Sequence, residues 1–242
     1  MRIYESRDYR EKINARGLAS FNVIVKETDL RVSAQRDLSK ETMDKVLLYR
    51  HQLENYIKFN PGFLASLTPY RDDPFAPTII REMIVATRDI GVGPMASVAG
   101  AIAHFVGTDL LMLTDQVIIE NGGDIFMKID RDATVSIFAG GSPLSEKIGI
   151  KIPKEMMPVG ICSSSGSVGH SLSMGSSDAV TVVSPSAIRA DGAATALGNR
   201  VRTKKDLDKI PDWAEGMAGI LGCVAILGDT MATWGDIELV AL

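Results

Sequence analysis

The chain holds only two cysteines, Cys162 and Cys223, in 242 residues. That is too few for a disulfide scaffold, and the pair lacks the C-x-x-C spacing of zinc or redox motifs. A cytoplasmic, reducing compartment fits this usage. A strong charge of one sign is lacking too: 26 basic against 30 acidic residues leave a formal net charge of −4. No Lys/Arg-rich run offers the clustered cations that a phosphate backbone requires, so nucleic acid is set aside as a partner. Long apolar runs are also missing. Met217 to Leu227, the most apolar segment, is punctuated by Gly219 and Gly222 and is far shorter than the roughly 20 residues that cross a bilayer. Met1 to Lys12 carries Arg2, Glu5, Arg7, Asp8 and Arg10, where an export signal needs about 7 to 15 apolar residues. Neither a membrane partner nor export is expected. What is present is a globular composition, 45% hydrophobic and 23% charged, in a chain long enough to bury about 70 to 75% of its unfolded surface. One domain over residues 1–242 is expected.

Periodicity orders the elements. Phe21 to Ser33 reads as two short strands around a turn. From Ser39, a candidate cap, Met43, Val46, Leu47, Leu53 and Ile57 follow helical spacing until Asn60-Pro61-Gly62 stops the run. Pro61 to Pro77 holds four prolines and reads as a linker or lid. Helices are expected over Thr78 to Ile90 and Pro94 to Leu111. In the second, Ala96, Ala99, Gly100, Ala103 and Gly107 recur every three or four residues, so another backbone or a ligand approaches that face closely; packing is the favoured reading. β-like runs follow at Gln116 to Glu120, Asp124 to Ile129, Ala133 to Phe138, Lys147 to Ile152, Val159 to Ser163 and Ala179 to Val183, then a helix starting at Ser184-Pro185. Cys223 to Leu227 and Ile237 to Leu242 are read as the strands of a final hairpin, with Gly228-Asp229 near one end. Antiparallel-looking strands with interleaved long helices define an α+β fold.

Three segments can carry chemistry. Gly160 to Gly175, with Ser164, Ser165, Gly166 and His170 among small residues, can cradle phosphates or a polar heterocycle through bare amides and hydroxyls. It is not a Walker loop, because no Lys follows. Asp191 and Thr195 stand at i and i+4 of the helix that follows Pro185, so two hard oxygen donors share one face, a spacing suited to Mg²⁺. Gly192, Ala193, Ala194 and Ala196 leave little bulk around them. Asn121-Gly122-Gly123-Asp124 is explained by a tight hairpin turn, and equally presents polar atoms and bare backbone to a ligand. Cys162, Ser164 or Ser165 with His170 would make a nucleophile and base, without a recognised signature. His104 reads as a packed or exposed histidine of its helix.

These segments together resemble the ApbE-type FAD:protein FMN transferases, and more closely a short uncharacterised branch of that superfamily. The resemblance runs from about Gly93 to Gly198. Gly100-Ala101-Ile102-Ala103 is similar to the transferases' G-A-I-A-K-G helix start, Asn121 to Ile125 to their G-G-D-I turn, and Ala190 to Thr195 to their A-D-x-x-x-T helix. Ser164-Ser165-Gly166, then His170 to Gly175, looks like a shortened version of their S-G loop and H-x-I-D-P-x-T-G run. Val92 to Ala101 and Glu120 to Asp124 point to the short branch.

The resemblance implies a T-fold-like α+β architecture of antiparallel sheets with packed long helices. It implies a Mg²⁺ site made by Asp191, Thr195 and the Ala101 backbone oxygen, steadying the pyrophosphate of FAD or another nucleotide. Ligand contacts would come from His104, Asn121, Gly122, Gly123, Asp124, Ser164, Ser165, Gly166, His170 and Leu172. The partner is thus a small phosphate-bearing molecule, and homo-oligomerisation stays open. The chain departs from the pattern at His104-Phe105 in place of Lys-Gly, at Val98 in place of an acidic residue, and at Ser173-Met174 in place of Asp-Pro. Three functions therefore stand: a Mg²⁺-dependent nucleotide binder or transferase, a fold relative that lost the chemistry and works by binding, and a Ser or Cys hydrolase.

Overall fold

A computed structural model describes residue 15 and residues 17–166 and 175–242. Strands β1 (Ala19–Val25) and β2 (Thr28–Ala34) form the expected hairpin. Helix α1 (Ser39–Phe59) follows. Its buried seam is Thr42, Val46, Tyr49, Leu53 and Tyr56, a stripe phased differently from the one counted by aliphatics alone. Leu47 is therefore exposed, and two tyrosines take the inward positions. Ser39 does not cap α1; its own amide donates to Asp37 Oδ1 at 2.8 Å. The proline-rich segment begins with a short helix, α2 (Pro61–Ala65). Fully buried Phe63 anchors it between Tyr56 and Tyr70, with edge-on ring distances of 5.2 and 5.4 Å.

Helix α3 (Thr78–Arg88) precedes a 3₁₀ turn at Pro94–Ser97, and only then does α4 (Val98–Leu110) start. The expected single helix from Pro94 is thus two elements. Strands β3 (Val117–Asn121), β4 (Asp124–Lys128), β5 (Ala133–Ser136), β6 (Ile148–Ile152), β7 (Val159–Ser164) and β8 (Ala179–Ser184) follow within a residue or two of the spans expected at their start. Helix α5 (Ala187–Arg200) begins on Ser186, whose hydroxyl accepts the Arg189 amide. Helix α6 (Ile210–Glu215) leads into β9 (Gly222–Leu227), β10 (Thr230–Gly235) and β11 (Glu238–Ala241).

All pairing among the described residues is antiparallel. Eight strands run in the order β1-β2-β3-β4-β7-β8-β9-β10, and β11-β6-β5 form a second sheet. The expected final hairpin is corrected here. Its partner strand for β9 is β10, across Gly228-Asp229, whereas β11 leaves for the small sheet and pairs with β6. Strand β10 hides this in sequence, because its two faces alternate between half-buried and exposed rather than forming an apolar run.

The large sheet separates two cores. On one face α1, α3, α4 and α5 pack over Val32, Ile119, Phe126, Val180 and Val182. On the other, Ile161, Val183, Val224 and Ile226 meet Ile150 and Ile152 of the small sheet. Strand β8 is buried at every position because it serves both cores, which is why it reads as a continuous apolar run. The architecture is α+β, as expected.

Candidate functional site

Two helices and one hairpin converge on the helical face of the large sheet. The hairpin is the β3–β4 turn: Asn121 pairs with Asp124, and Gly122 and Gly123 have φ of 67° and 107°. Two successive left-handed residues make a tight turn that side chains would strain. Asn121 Nδ2 donates to the Ala99 carbonyl at 3.0 Å, tying the hairpin to the start of α4. Glu120, 2% exposed, accepts the Gly123 amide on Oε1 at 3.0 Å.

Helix α5 approaches α4 at a glycine. A β-carbon on Gly100 would lie 2.3 Å from the Ala187 carbonyl oxygen and 2.7 Å from Asp191 Cβ. The small-residue stripe of α4 is thus a packing device, against α5 at Gly100 and against the Phe126 ring at Gly107. That approach seats Asp191 Oδ2 on the Gly100 amide at 2.8 Å. The Ala99 amide adds a second donor, so the carboxylate occupies the positive end of α4. One turn further along α5, Thr195 Oγ1 lies 3.5 Å from the Ala96 carbonyl.

Asp124 faces Asp191 across this junction. Both are buried, at 6% and 9% exposure, and they repel one another. Among the described residues neither has a basic side chain as partner. Burial pushes the Asp191 carboxyl up to about 7, against the opposing pull of the Gly100 and Ala99 amides. Asp124 is raised well above the carboxylate range, first by burial and then by Asp191. Its Oδ1 is buried without any hydrogen-bond partner. Two desolvated carboxylates beside each other are relieved by taking up a proton or by a bound cation.

The residues therefore fit a hard divalent cation by charge and by donor chemistry, although no three His, Cys, Asp or Glu side chains cluster as ligands among the described residues. Mg²⁺ characteristically uses one or two carboxylates and completes its shell with water and phosphate oxygens. Ala101, in contrast, lies inside α4 and is fully buried. Its carbonyl belongs to the helix's own hydrogen-bond ladder and points away from the end that receives Asp191.

The other expected residues are spread over neighbouring ground. Ser164 is buried at the end of β7. Gly166 donates to the Ser177 carbonyl at 2.9 Å and packs on Gly175, which in turn abuts the Gly198 carbonyl. The stem that holds Ser165 and Gly166 thus sits at the far end of α5, about 10 Å along the helix from Asp191. His170 and Leu172 lie outside the described residues.

His104 is on another wall. It packs edge-on to Phe126 at 5.2 Å and borders an open cavity of about 680 Å³ shared with Tyr49, Phe105, Asp109 and Ser186. A second cavity, of about 390 Å³, lies between α1 and α4 and reaches Asn121; Arg50, Leu53, Ile57, Met95 and Ala99 line it. Asp124, Asp191 and Thr195 line neither.

His104 Nδ1 is buried without a partner, and burial holds the imidazole below its usual value of 6.5. The unfolded chain therefore binds the proton more tightly. Stability from this group is complete above pH 6.5 and lost on acidification below it, by up to about 1.4 kcal/mol per pH unit. Urea titrations between pH 7 and 5 are expected to show a steeper loss for the wild type than for His104→Leu; parallel curves would refute it.

Sequence reasoning passed over Glu120 and weighed Cys162 only as a nucleophile. Glu120 could have been found as a charge closing an apolar strand run. Cys162 donates its thiol to the Ala187 carbonyl at 3.3 Å, and burial beside Asp124 and Asp191 raises its pKa well above the usual range. That is the environment of an inert thiol rather than a nucleophile.

An α+β sheet of this order with α4 and α5 crossing its face is the ApbE fold. The apo flavinyl transferase ApbE of Pseudomonas stutzeri superposes with a TM-score of 0.58 at 15% identity, covering 89% of this chain and 93% of that one. The ApbE protein of Thermotoga maritima gives 0.52 at 11% identity over 88% and 96%. Sequence relatives share far more: a UPF0280 protein of Methanocella arvoryzae is 38% identical over 87% of this chain and 86% of its own length. One from Methanococcus maripaludis is 40% identical over 89% and 90%. The chain belongs to the family described as "AbpE bacteria", which matches residues 10–213, together with these UPF0280 proteins.

Proposed function

We propose that the protein binds a phosphate-bearing ligand, a flavin or another nucleotide, together with Mg²⁺ at the junction of α4, α5 and the β3–β4 hairpin. The observation that carries this reading is the buried pair Asp124 and Asp191, two facing carboxylates with no basic partner among the described residues. Asp191 holds the cation from α5 while the Gly100 and Ala99 amides fix its orientation. Thr195 adds a hydroxyl, and Asn121, Gly122 and Gly123 present the hairpin edge. Ser164, Ser165, Gly166, His170, Leu172 and His104 are the further ligand contacts of this proposal. A bound cation neutralises charge on a phosphoanhydride as it is split.

The purified protein is expected to bind FAD or another nucleotide more tightly in Mg²⁺ than in EDTA, with the difference gone in Asp191→Ala. Calorimetry over a nucleotide panel reads this out, and no Mg²⁺ dependence for any member sinks the proposal. Release of nucleoside monophosphate on addition of an acceptor hydroxyl would extend it from binding to transfer.

A second reading, a fold relative acting only by binding, draws on the packing. Asp191 and Thr195 line neither cavity, and α4 and α5 touch backbone to side chain at Gly100. It predicts ligand binding in the α1–α4 cavity that is indifferent to Mg²⁺.

A further inference from the structure

The resemblance to the transferases directs attention to Ala101, Asp191 and Thr195, but the carboxyl oxygen left without a partner at this junction is Asp124 Oδ1. The hairpin leaves Asp124 at the first position of β4, paired in register with Cys162 of β7. The Ser163 amide hydrogen-bonds the carboxyl group, and the Cys162 thiol, which donates to the Ala187 carbonyl, lies beside it. Its Oδ1 is left buried with no donor at all, in a residue 6% exposed. An acceptor oxygen withdrawn from water and given nothing costs about 1 to 3 kcal/mol, more when charged. Native chains hold few such groups, and a bound ion is one of the things that satisfies them.

The Ala101 carbonyl has the opposite character. It accepts within α4 and cannot turn toward Asp191 without opening the helix's first turns. Asp191 is itself held by the Gly100 and Ala99 amides. A carboxylate fixed by outer hydrogen bonds is the usual form of a metal ligand.

We propose that Asp124, rather than the Ala101 carbonyl, is the partner of Asp191 in holding the divalent cation, so that the hairpin and α5 share it. The assignment rests on the reading of Asp191 as a cation ligand and adds to it a residue on a different element. It gives the Gly122-Gly123 turn a purpose beyond chain reversal, since the tight turn sets where the Asp124 carboxylate begins.

The test uses the full chain and the metal alone, without nucleotide. Calorimetric titration with Mg²⁺ and electron paramagnetic resonance of free Mn²⁺ measure uptake in the wild type, Asp124→Asn, Asp191→Asn and Glu120→Gln. Wild-type protein is expected to take up one cation. Asp124→Asn and Asp191→Asn are each expected to weaken uptake at least tenfold, the lower end of what loss of even an outer-sphere partner costs. Glu120→Gln keeps the oxygen that accepts the Gly123 amide and is expected to change uptake several-fold less, which separates ligation from loss of nearby charge. Thermal melts verify folding, and Asp124→Ala takes the place of Asp124→Asn should the amide not be accommodated. Wild-type affinity in both Asp124 variants, with loss in Asp191→Asn, overturns the role of Asp124 and leaves the Mg²⁺ reading standing. No uptake by the wild type overturns both.

Discussion

Gly100→Ala is expected to melt about 4 to 8 °C below the wild type and to lose cation binding with it. The added methyl would meet the Ala187 carbonyl oxygen at 2.3 Å and Asp191 Cβ at 2.7 Å. Neither neighbour is a flexible side-chain end, so α4 and α5 must separate. Overpacking of this kind costs about 3 kcal/mol. The better helix propensity of alanine returns about 1 kcal/mol, and the remaining 2 kcal/mol corresponds to that fall in a chain of this size. Separation also lifts Asp191 from the Gly100 amide. Gly192→Ala on α5 is the control: its methyl would meet the Thr87 side chain at 3.2 Å and otherwise only Ile90 and Ser97 side-chain atoms at ordinary contact distance, 3.7 and 3.9 Å. It is expected to stay within about 1 kcal/mol of the wild type, propensity and tightness nearly cancelling. Differential scanning calorimetry of the two variants decides; equal melting points would mean that the helices can part at Gly100 without cost.

Phe126→Ala is expected to be the more damaging change, at about 3 to 5 kcal/mol. The ring is 1% exposed and fills the space that Gly107 leaves open, where a β-carbon would come within 2.1 Å of it. His104 stacks on it edge-on at 85°. Removing the ring leaves a cavity under α4 that Gly107 has no side chain to fill, and it removes the nearer of the two aromatic rings packed on His104. Urea denaturation is the direct measure. A loss below about 1 kcal/mol would show that α4 collapses onto β4, and the depth of the Gly107 contact would need another explanation.

The local chemistry of the candidate site was legible in single residues. Asn121-Gly122-Gly123-Asp124 announced a two-residue turn because only glycine takes successive positive φ values without strain, and the turn forms. Asp191 and Thr195 share a face of α5 because four residues are about one helical turn. The stripe of small residues in α4 correctly announced a close neighbour, yet periodicity could not say which: Gly100 meets α5, and Gly107 meets a ring from the sheet. The C-terminal strands misled for a related reason. Strand β10 carries no run of apolar residues, and β11 pairs with β6, about 90 positions earlier, through contacts that no local pattern records.

What the sequence by itself determined was the class of fold, the hairpin, the two helices that carry Asp191 and the small-residue face, and the resemblance that family membership bears out. These follow from φ preferences, residue periodicity and volume, which are properties of neighbours along the chain. The tertiary structure alone decided that Asp124 and Asp191 confront each other, that the amides at the start of α4 seat Asp191, that Ala101 stays within its helix, and that Cys162 is sealed beneath the site. Those facts concern burial and charge across long sequence separations, where the cost of removing a carboxylate from water depends on what the rest of the fold places beside it.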